Sequence, residues 1–422
     1  MNIYNQFYSF YRPYLEKISL TILNGKMSIF VGINGMGKNL LVEELKSSKF
    51  INEYLKKEKV RLVFLEFKDK YPPTSEQLYK YWLTQTAKEI GYKLPTDEIF
   101  NEFSFYTYLS NMSKNIAPHE KLAFIILDAQ QLLDQNEVFY RSLLFLHKFS
   151  YGKVSFVFLS EPQILHNPNP WLQKFIQHLT NNKFIFLQPF DTKTSFANIK
   201  RQEKLLSITL EKYYSLIVKY SRGLHGVIDA FCYFIKNNPQ ISNIRNLKKL
   251  IYEDKIVEYW VKDVLNSLPI QSVKILREVS LNKTLFNKYK NNIYGIWLIE
   301  MGFLKKSGIL RFPLMLPILK NYTAFGKNTN HTLKLHKNKF SIGDEKLKLS
   351  NKEFTVLEIL NKHKGKLVTY DSIGNVLWKG NSDDFSLWAI SQIIRRLRKR
   401  LAFYSINPKI ISSKRGEGYI LN

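Results

Sequence analysis

Cysteine is almost missing from these 422 residues: Cys232 stands alone. An intrachain disulfide is therefore excluded, as is a metal site built on four thiolates. Long hydrophobic runs are missing too. No stretch approaches the roughly 18 consecutive apolar residues that a membrane-spanning helix needs. The opening Met1-Asn2-Ile3-Tyr4-Asn5-Gln6 lacks the charged-then-apolar layout of a secretory signal. No internal repeat or low-complexity tract is present. These absences set the expectation of a cytoplasmic protein with no membrane partner.

Acidic residues are also scarce, at 35 Asp and Glu against 63 Lys and Arg, a formal net charge of +28. Lys, Asn and Ile are enriched everywhere, as an AT-rich genome would produce, so the total alone is weak information about partners. Its distribution says more. Residues 331–422 carry 18 Lys and Arg against 8 Asp and Glu, about twice the net density of the rest of the chain. A basic excess concentrated in one segment is the electrostatic footprint of a nucleic-acid partner.

The apolar fraction of 45% and the 14% of aromatic residues point to packed globular domains. The length calls for two or three of them. Short apolar runs occur at 27–33, 60–67, 122–127, 154–159 and 183–187, most separated by helix-length segments. Runs apolar on both faces suit buried strands of a parallel sheet, so a three-layer α/β domain is expected. From about Ala197 to Leu319 the spacing turns helical, as in Leu205–Leu210 and Ile256–Val261. There Ile296–Phe312 reads as a helix, a glycine stop and a small hairpin. The polar stretch Thr323–Asn330 reads as a linker. The expected division is 1–196 for the α/β domain, 197–322 for a helical and winged-helix-like module, 323–331 for the linker and 332–422 for a C-terminal domain.

Gly32-Ile33-Asn34-Gly35-Met36-Gly37-Lys38-Asn39 fits the phosphate-loop pattern G-x-x-x-x-G-K-[ST] except at its last position. A strand precedes it and a plausible helix, Leu40–Leu45, follows. Glycines let backbone N–H groups converge on an anion at a helix N-terminus, and Lys38 adds a point charge. The competing reading is an ordinary glycine-rich turn. Asp128 ends the run 122–127, where a carboxylate would reach a metal shell. Ser160, ending the next run, fits a polar sensor position, although a simple helix cap is the plainer reading.

These elements resemble the P-loop ATPases of the AAA+ and STAND groups, particularly the origin-recognition-like branch, over roughly residues 8–320. Ile185–Asp191 is similar to the strand-Pro-aromatic step into the lid, and Gly223-Leu224-His225-Gly226 to the lid's glycine turn. The resemblance implies ATP or another NTP with magnesium, bound by Gly32, Asn34, Gly35, Gly37, Lys38, Asn39 and Asp128, with Asn39 and Asp128 as the magnesium ligands. Two departures bear on activity. Asn39 stands where a Ser or Thr hydroxyl usually ligates magnesium. After Asp128 come Ala129, Gln130 and Gln131, where hydrolytic members place an acid to polarise the attacking water. A neutral Gln can orient water but cannot accept its proton. The expectation is nucleotide binding with slow or absent turnover.

Residues 332–422 resemble the OmpR/PhoB-type winged-helix DNA-binding domain over their whole length. The signs are a small sheet at Leu333–Leu335 and Phe340–Ile342 with a Gly343-Asp344 turn, and a helix opened by a Ser350/Glu353 capping box. A Gly365–Ile373 turn into a second helix follows, with a Leu377-Trp378 plug. In the third helix, about Ser386–Leu401, a period near 100° per residue puts Ile390, Ile394, Leu397 and Leu401 on the core stripe. Trp388, Gln392, Arg395 and Lys399 fall opposite, with Arg396 beside them. Amide and guanidinium groups suit major-groove edges; the plainer alternative is a solvated basic face. Lys414 and Arg415 precede the Gly416-Glu417-Gly418-Tyr419 wing, and the resemblance implies that Arg415 reaches the adjacent minor groove. Tyr419 reads as a core anchor. No receiver pattern accompanies this domain, so phosphorelay control is not expected.

The expected fold is thus a three-layer α/β P-loop NTPase domain, an α-helical/winged-helix module and a C-terminal α+β winged helix-turn-helix. The expected function is a sequence-specific transcriptional regulator with an ATP-binding switch domain. Double-stranded DNA is its partner, with RNA polymerase and a second copy of the chain as further ones. A DNA-dependent ATPase of the origin-binding or transposition-helper type, and a passive DNA-binding protein with a degenerate P-loop domain, are the alternatives.

Overall fold

The computed structural model describes residues 3–56, 58–67, 75–95, 100–116, 119–133, 135–166, 169–180, 184–238, 255–321, 333–336, 339–342, 345–346, 349–378, 387–403, 410–414 and 416–421. The linker expected at 323–331 and the Gly343-Asp344 turn lie outside them. The chain divides into two compact units, Met1–Lys320 and Asn321–Asn422.

In the first unit β1 (Met27–Val31), β2 (Lys59–Glu66), β3 (Glu120–Leu127), β4 (Val154–Ser160) and β5 (Phe184–Phe186) form one parallel sheet in the order β2-β3-β4-β1-β5. Every residue of β1 and β4 is buried. Side chains alternate between the faces of a strand, so such strands must be covered on both faces. Helix α1 (Ile3–Leu23) packs across β1, β3 and β4. Helix α2 (Lys38–Leu45) follows the glycine-rich loop, α3 (Ser75–Ile90) lies against β2, and α4 (Glu102–Lys114) packs on α3. Next come α5 (Glu137–Phe149), against β4, and α6 (Pro170–Thr180), against β1. Aromatics fill the space between α3 and the sheet: Trp82, fully buried, meets Phe124 at 5.6 Å, and Phe124 stacks on Phe156 at 5.1 Å. Each such ring contributes about 1.5–3 kcal/mol by leaving water.

The five strands fall on the five apolar runs. The helical part differs in detail. Helix α7 (Thr192–Leu206) starts where Asp191 accepts a hydrogen bond from the Thr194 amide at 2.7 Å, and it stops at Ser207, whose φ is 53°. Leu205–Leu210 is therefore a helix end and a turn, not helical throughout. The 196/197 division falls inside α7. Helices α8 (Tyr214–Ser221) and α9 (His225–Asn237) pack on α7, and α10 (Lys255–Ser267) packs on α9. Helices α11 (Ile270–Leu281) and α12 (Ile293–Glu300) come next. After α12, Gly302 turns the chain with φ 77°, and Leu304 bridges Leu310 in the small hairpin expected there.

The second unit opens with the antiparallel strands β6 (Leu333–His336), β7 (Lys339–Ile342) and β8 (Glu345–Lys346). Helix α13 (Asn351–Lys362) begins at the expected capping box: the Ser350 hydroxyl accepts from the Glu353 amide, and Glu353 Oε2 accepts from the Ser350 amide at 2.8 Å. Strand β9 (Leu367–Thr369), α14 (Tyr370–Trp378), α15 (Leu387–Phe403) and the hairpin β10 (Ile411–Lys414) with β11 (Gly418–Leu421) complete a winged helix whose second sheet runs β10-β11-β9. Ile390, Ile394, Leu397 and Leu401 are buried as the helical phase requires, and Ile393 joins them. The Leu377-Trp378 pair does not plug the core. Both are only partly buried at its margin, and Ile373, one turn earlier in α14, fills the centre.

Candidate functional site

The sheet order places the C-terminal tips of β1, β4 and β3 side by side, and ligands of open α/β sheets bind beyond such tips. A cavity of 440 Å³ opens there, lined by Asn34, Gly35, Gly37, Lys38, Asn39, Leu40, Phe67, Asp128, Gln130, Gln131, Glu161 and His225. Six of the seven expected nucleotide-binding residues thus meet in one place. The seventh, Gly32, acts from behind: its carbonyl accepts a hydrogen bond from Lys38 Nζ at 2.9 Å, and its amide donates to Ser160 O at 3.0 Å.

The loop has its shape because glycine permits it. Gly35 and Gly37 have φ of 79° and 80°, in the left-handed region that side chains disfavour. At Gly37 there is also no room, since a Cβ would lie 2.4 Å from the Tyr11 hydroxyl. That hydroxyl donates to Gly37 O at 2.8 Å. The helical part grips the same loop. The Gly226 amide donates to Gly35 O at 2.9 Å, and Asn34 Nδ2 donates to Asp263 Oδ2 on α10 at 2.9 Å. Gly223, with φ 85°, brings its carbonyl to the Phe190 amide at 2.8 Å, joining the glycine turn to the Pro189-Phe190 step.

Electrostatically the cavity pairs one cation with several acids. Burial draws the Lys38 ammonium below its ordinary pKa, opposed by Glu161, Asp128 and Asp263. Burial likewise raises the Glu161 carboxyl, opposed mainly by Lys38. Glu161 Oε1 lies 3.8 Å from Lys38 Nζ. Gln130 ties the tips of β3 and β4 together: its Nε2 donates to Asp128 Oδ1 at 3.2 Å, and its Oε1 accepts from the Glu161 amide at 3.2 Å. Glu161 is the residue that sequence reasoning missed. The residues directly after Asp128 hold no acid, whereas this one enters from the end of the next strand. Ser160 is fully buried and its hydroxyl donates to Glu161 O, so it is not a helix cap.

Asn39 and Asp128 line the cavity together. Among the described residues no cluster of three or more His, Cys, Asp or Glu forms a dedicated metal cage. One carboxylate, one amide and the phosphates themselves are a donor set that suits magnesium, which keeps part of its water shell.

On the winged helix, Gln392 and Arg395 are half-buried on α15. Arg396 Nε lies 3.8 Å from Glu353 Oε1, so its guanidinium joins α15 to the capping box of α13. Arg398, which sequence reasoning did not single out, holds the wing: its Nε and Nη2 donate to Ile411 O at 3.0 and 2.8 Å, and it lies over the Tyr419 ring. Tyr419 is buried, with its hydroxyl 3.2 Å from that of Ser391, as a core anchor should be. Lys414 is exposed and pairs with Glu417 at 2.9 Å. Arg415 lies outside the described residues, as do the side chains of Trp388 and Lys399.

Residues 344–421 match the family described as "Transcriptional regulatory protein, C terminal". The transcriptional regulatory protein CusR of Escherichia coli (strain K12) is 34% identical over 76 residues, 18% of this chain and 33% of that protein. PcoR of Escherichia coli is 32% identical over 77 residues, with the same coverage. The chain spans about a third of the length of the curated relatives it matches. Among solved structures, a Walker-type ATPase of Pyrococcus abyssi aligns with a TM-score of 0.44 at 15% identity, covering 74% of this chain and 95% of that one. The Aeropyrum pernix ORC2 protein in its ADPNP-ADP complexes aligns with a TM-score of 0.44 at 14% identity, covering 74% and 93%.

Proposed function

We propose that this chain is a nucleotide-responsive, sequence-specific transcriptional regulator that binds promoter DNA through α15 and its wing and binds ATP at the loop 32–39. The observation that carries the DNA half is the anchoring of α15. A continuous buried stripe from Ile390 to Leu401 fixes its rotation, which turns Gln392 and Arg395 away from the core. An amide pairs with adenine and a guanidinium with guanine, while Lys414, Arg415 and Lys399 would neutralise phosphates. The regulatory assignment rests on the matched segment, since both curated relatives are named as transcriptional regulatory proteins.

The switch half rests on the loop. Its left-handed glycines, the N-terminus of α2 and a buried Lys38 form the cradle that a polyphosphate requires. Magnesium, held by Asp128, Asn39 and the phosphates, would neutralise charge that Lys38 alone cannot. A ligand that favours one conformation shifts the population without any chemistry. The contacts of Gly35 and Asn34 to the helical part give ATP something to move. RNA polymerase and a second copy of the chain are the further partners of this reading.

Selection of bound sequences from a random duplex pool tests the DNA half. Wild-type protein should enrich one motif, and Arg395→Ala should lose preference at one base pair of it. Enrichment without any motif would make the protein a sequence-blind DNA binder. Glu161 favours a second reading, a DNA-dependent ATPase.

A further inference from the structure

The cavity holds a carboxylate that nucleotide binding does not need. Lys38 and the loop glycines can cradle phosphates, and Asp128 can serve a metal shell, but Glu161 adds a negative charge where the ligand is itself an anion. It is a costly group to place there, since it loses most of its water at the tip of β4. Its backbone is held by the Gln130 side chain, which also holds Asp128, so the two acids keep a fixed separation across the β3 and β4 tips. Its side chain makes no capping hydrogen bond to the turn Pro162–Leu165 that it precedes; it hydrogen-bonds Gln163 and faces the cavity's own lysine.

We propose that Glu161 is the proton-accepting carboxylate of an ATP-hydrolysing site, replacing from strand β4 the acid that is absent after Asp128. This deepens the nucleotide reading of the cavity and rests on it. When phosphate takes Lys38, the lysine beside Glu161 is drawn to the ligand, and the carboxylate becomes available to water. The oxygen of that water forms a bond to the terminal phosphorus while the bond from that phosphorus to the bridging oxygen breaks. The bridging oxygen leaves with the electron pair on the nucleoside diphosphate. The water proton passes to a Glu161 oxygen and from there to solvent. Gln131, on the same wall, can orient the water but cannot take its proton. A carboxyl raised by burial is a better base than an exposed one, and burial raises that of Glu161.

Phosphate release at saturating ATP, with and without duplex DNA, should be measured on the full chain beside calorimetric ATP affinity and a thermal melt. The proteins to compare are wild type, Glu161→Gln, Glu161→Asp and Lys38→Ala. Wild type should release phosphate. Glu161→Gln should bind ATP at least as tightly, because a charge beside the phosphates is gone, while turnover falls about 10²–10⁴-fold. Glu161→Asp keeps the charge near Lys38 but withdraws it by one methylene, and should lose turnover while melting like wild type. Wild-type turnover should rise with pH through the carboxyl titration, a dependence missing from Glu161→Gln. If wild type binds ATP but releases no more phosphate than Lys38→Ala, or if either Glu161 variant turns over like wild type, the assignment is overturned and ATP binding stands. If wild type does not bind ATP, the nucleotide reading itself falls and takes this inference with it.

Discussion

At Gly37 two requirements coincide: a left-handed φ of 80° and a missing Cβ beside the Tyr11 hydroxyl. Gly37→Ala should therefore cost about 1–3 kcal/mol from backbone strain and abolish nucleotide binding, as a melt and a calorimetric titration would record. Retained ATP affinity in that variant would mean that the loop does not cradle phosphate. Residues on α15 separate in the same way. Arg398→Ala removes a guanidinium that donates twice to Ile411 O and should destabilise the wing by about 1.5–3 kcal/mol. Gln392→Ala should leave the melt unchanged and relax sequence preference by about 1–3 kcal/mol at the cognate site. A uniform loss on all sequences would show that Gln392 faces phosphate and not base edges. Lys38 and Asp128 were legible in the sequence because Lys38 completes the glycine pattern that follows one apolar run and Asp128 directly follows another. Glu161 was not, because its nearness to Lys38 depends on β4 pairing with β1, and strand order is not written in local pattern.

The same distinction holds for whole elements. Strands were legible from composition, since β1 and β4 are buried on both faces and therefore apolar at all positions except Ser28, Ser155 and Ser160. Helix α15 was legible from phase, and its buried stripe is where the second unit is most exposed to mutation. Leu397→Ala should cost about 2–5 kcal/mol, a large part of the 5–15 kcal/mol that holds a domain. The check is early melting of the second unit while the first is unaffected. The end of α7 was not legible, because Leu205 to Leu210 keeps a helical apolar rhythm through a Ser207 turn. On α9, Cys232 is fully buried, and burial pushes its thiol pKa up to about 12. The folded state keeps the proton that the unfolded state gives up, so this contribution to stability is complete below pH 9 and declines as pH rises toward 12. Denaturant titrations over that window should show the decline, with a smaller slope in Cys232→Ala. At pH 8 a thiol reagent should label the chain only as fast as α9 opens. Rapid labelling under native conditions would contradict the packing around it.

For the molecule as a whole, charge was the most legible property. Its basic excess in residues 331–422 predicts that DNA affinity falls steeply with salt, because each neutralised phosphate releases counterions. A flat response between low and physiological salt would remove the electrostatic argument. What sequence pattern could not give is whether the two units work together, since each has its own core and its own chemistry. That cooperation is the central claim, and one measurement bears on it most directly: the affinity of the full chain for its selected duplex, at fixed salt, with and without saturating ATP, in wild type and in Lys38→Ala. ATP should change the wild-type affinity and leave Lys38→Ala unmoved, with both proteins binding equally in its absence. Wild-type affinity that is the same with and without ATP, while calorimetry records ATP bound, would contradict the account.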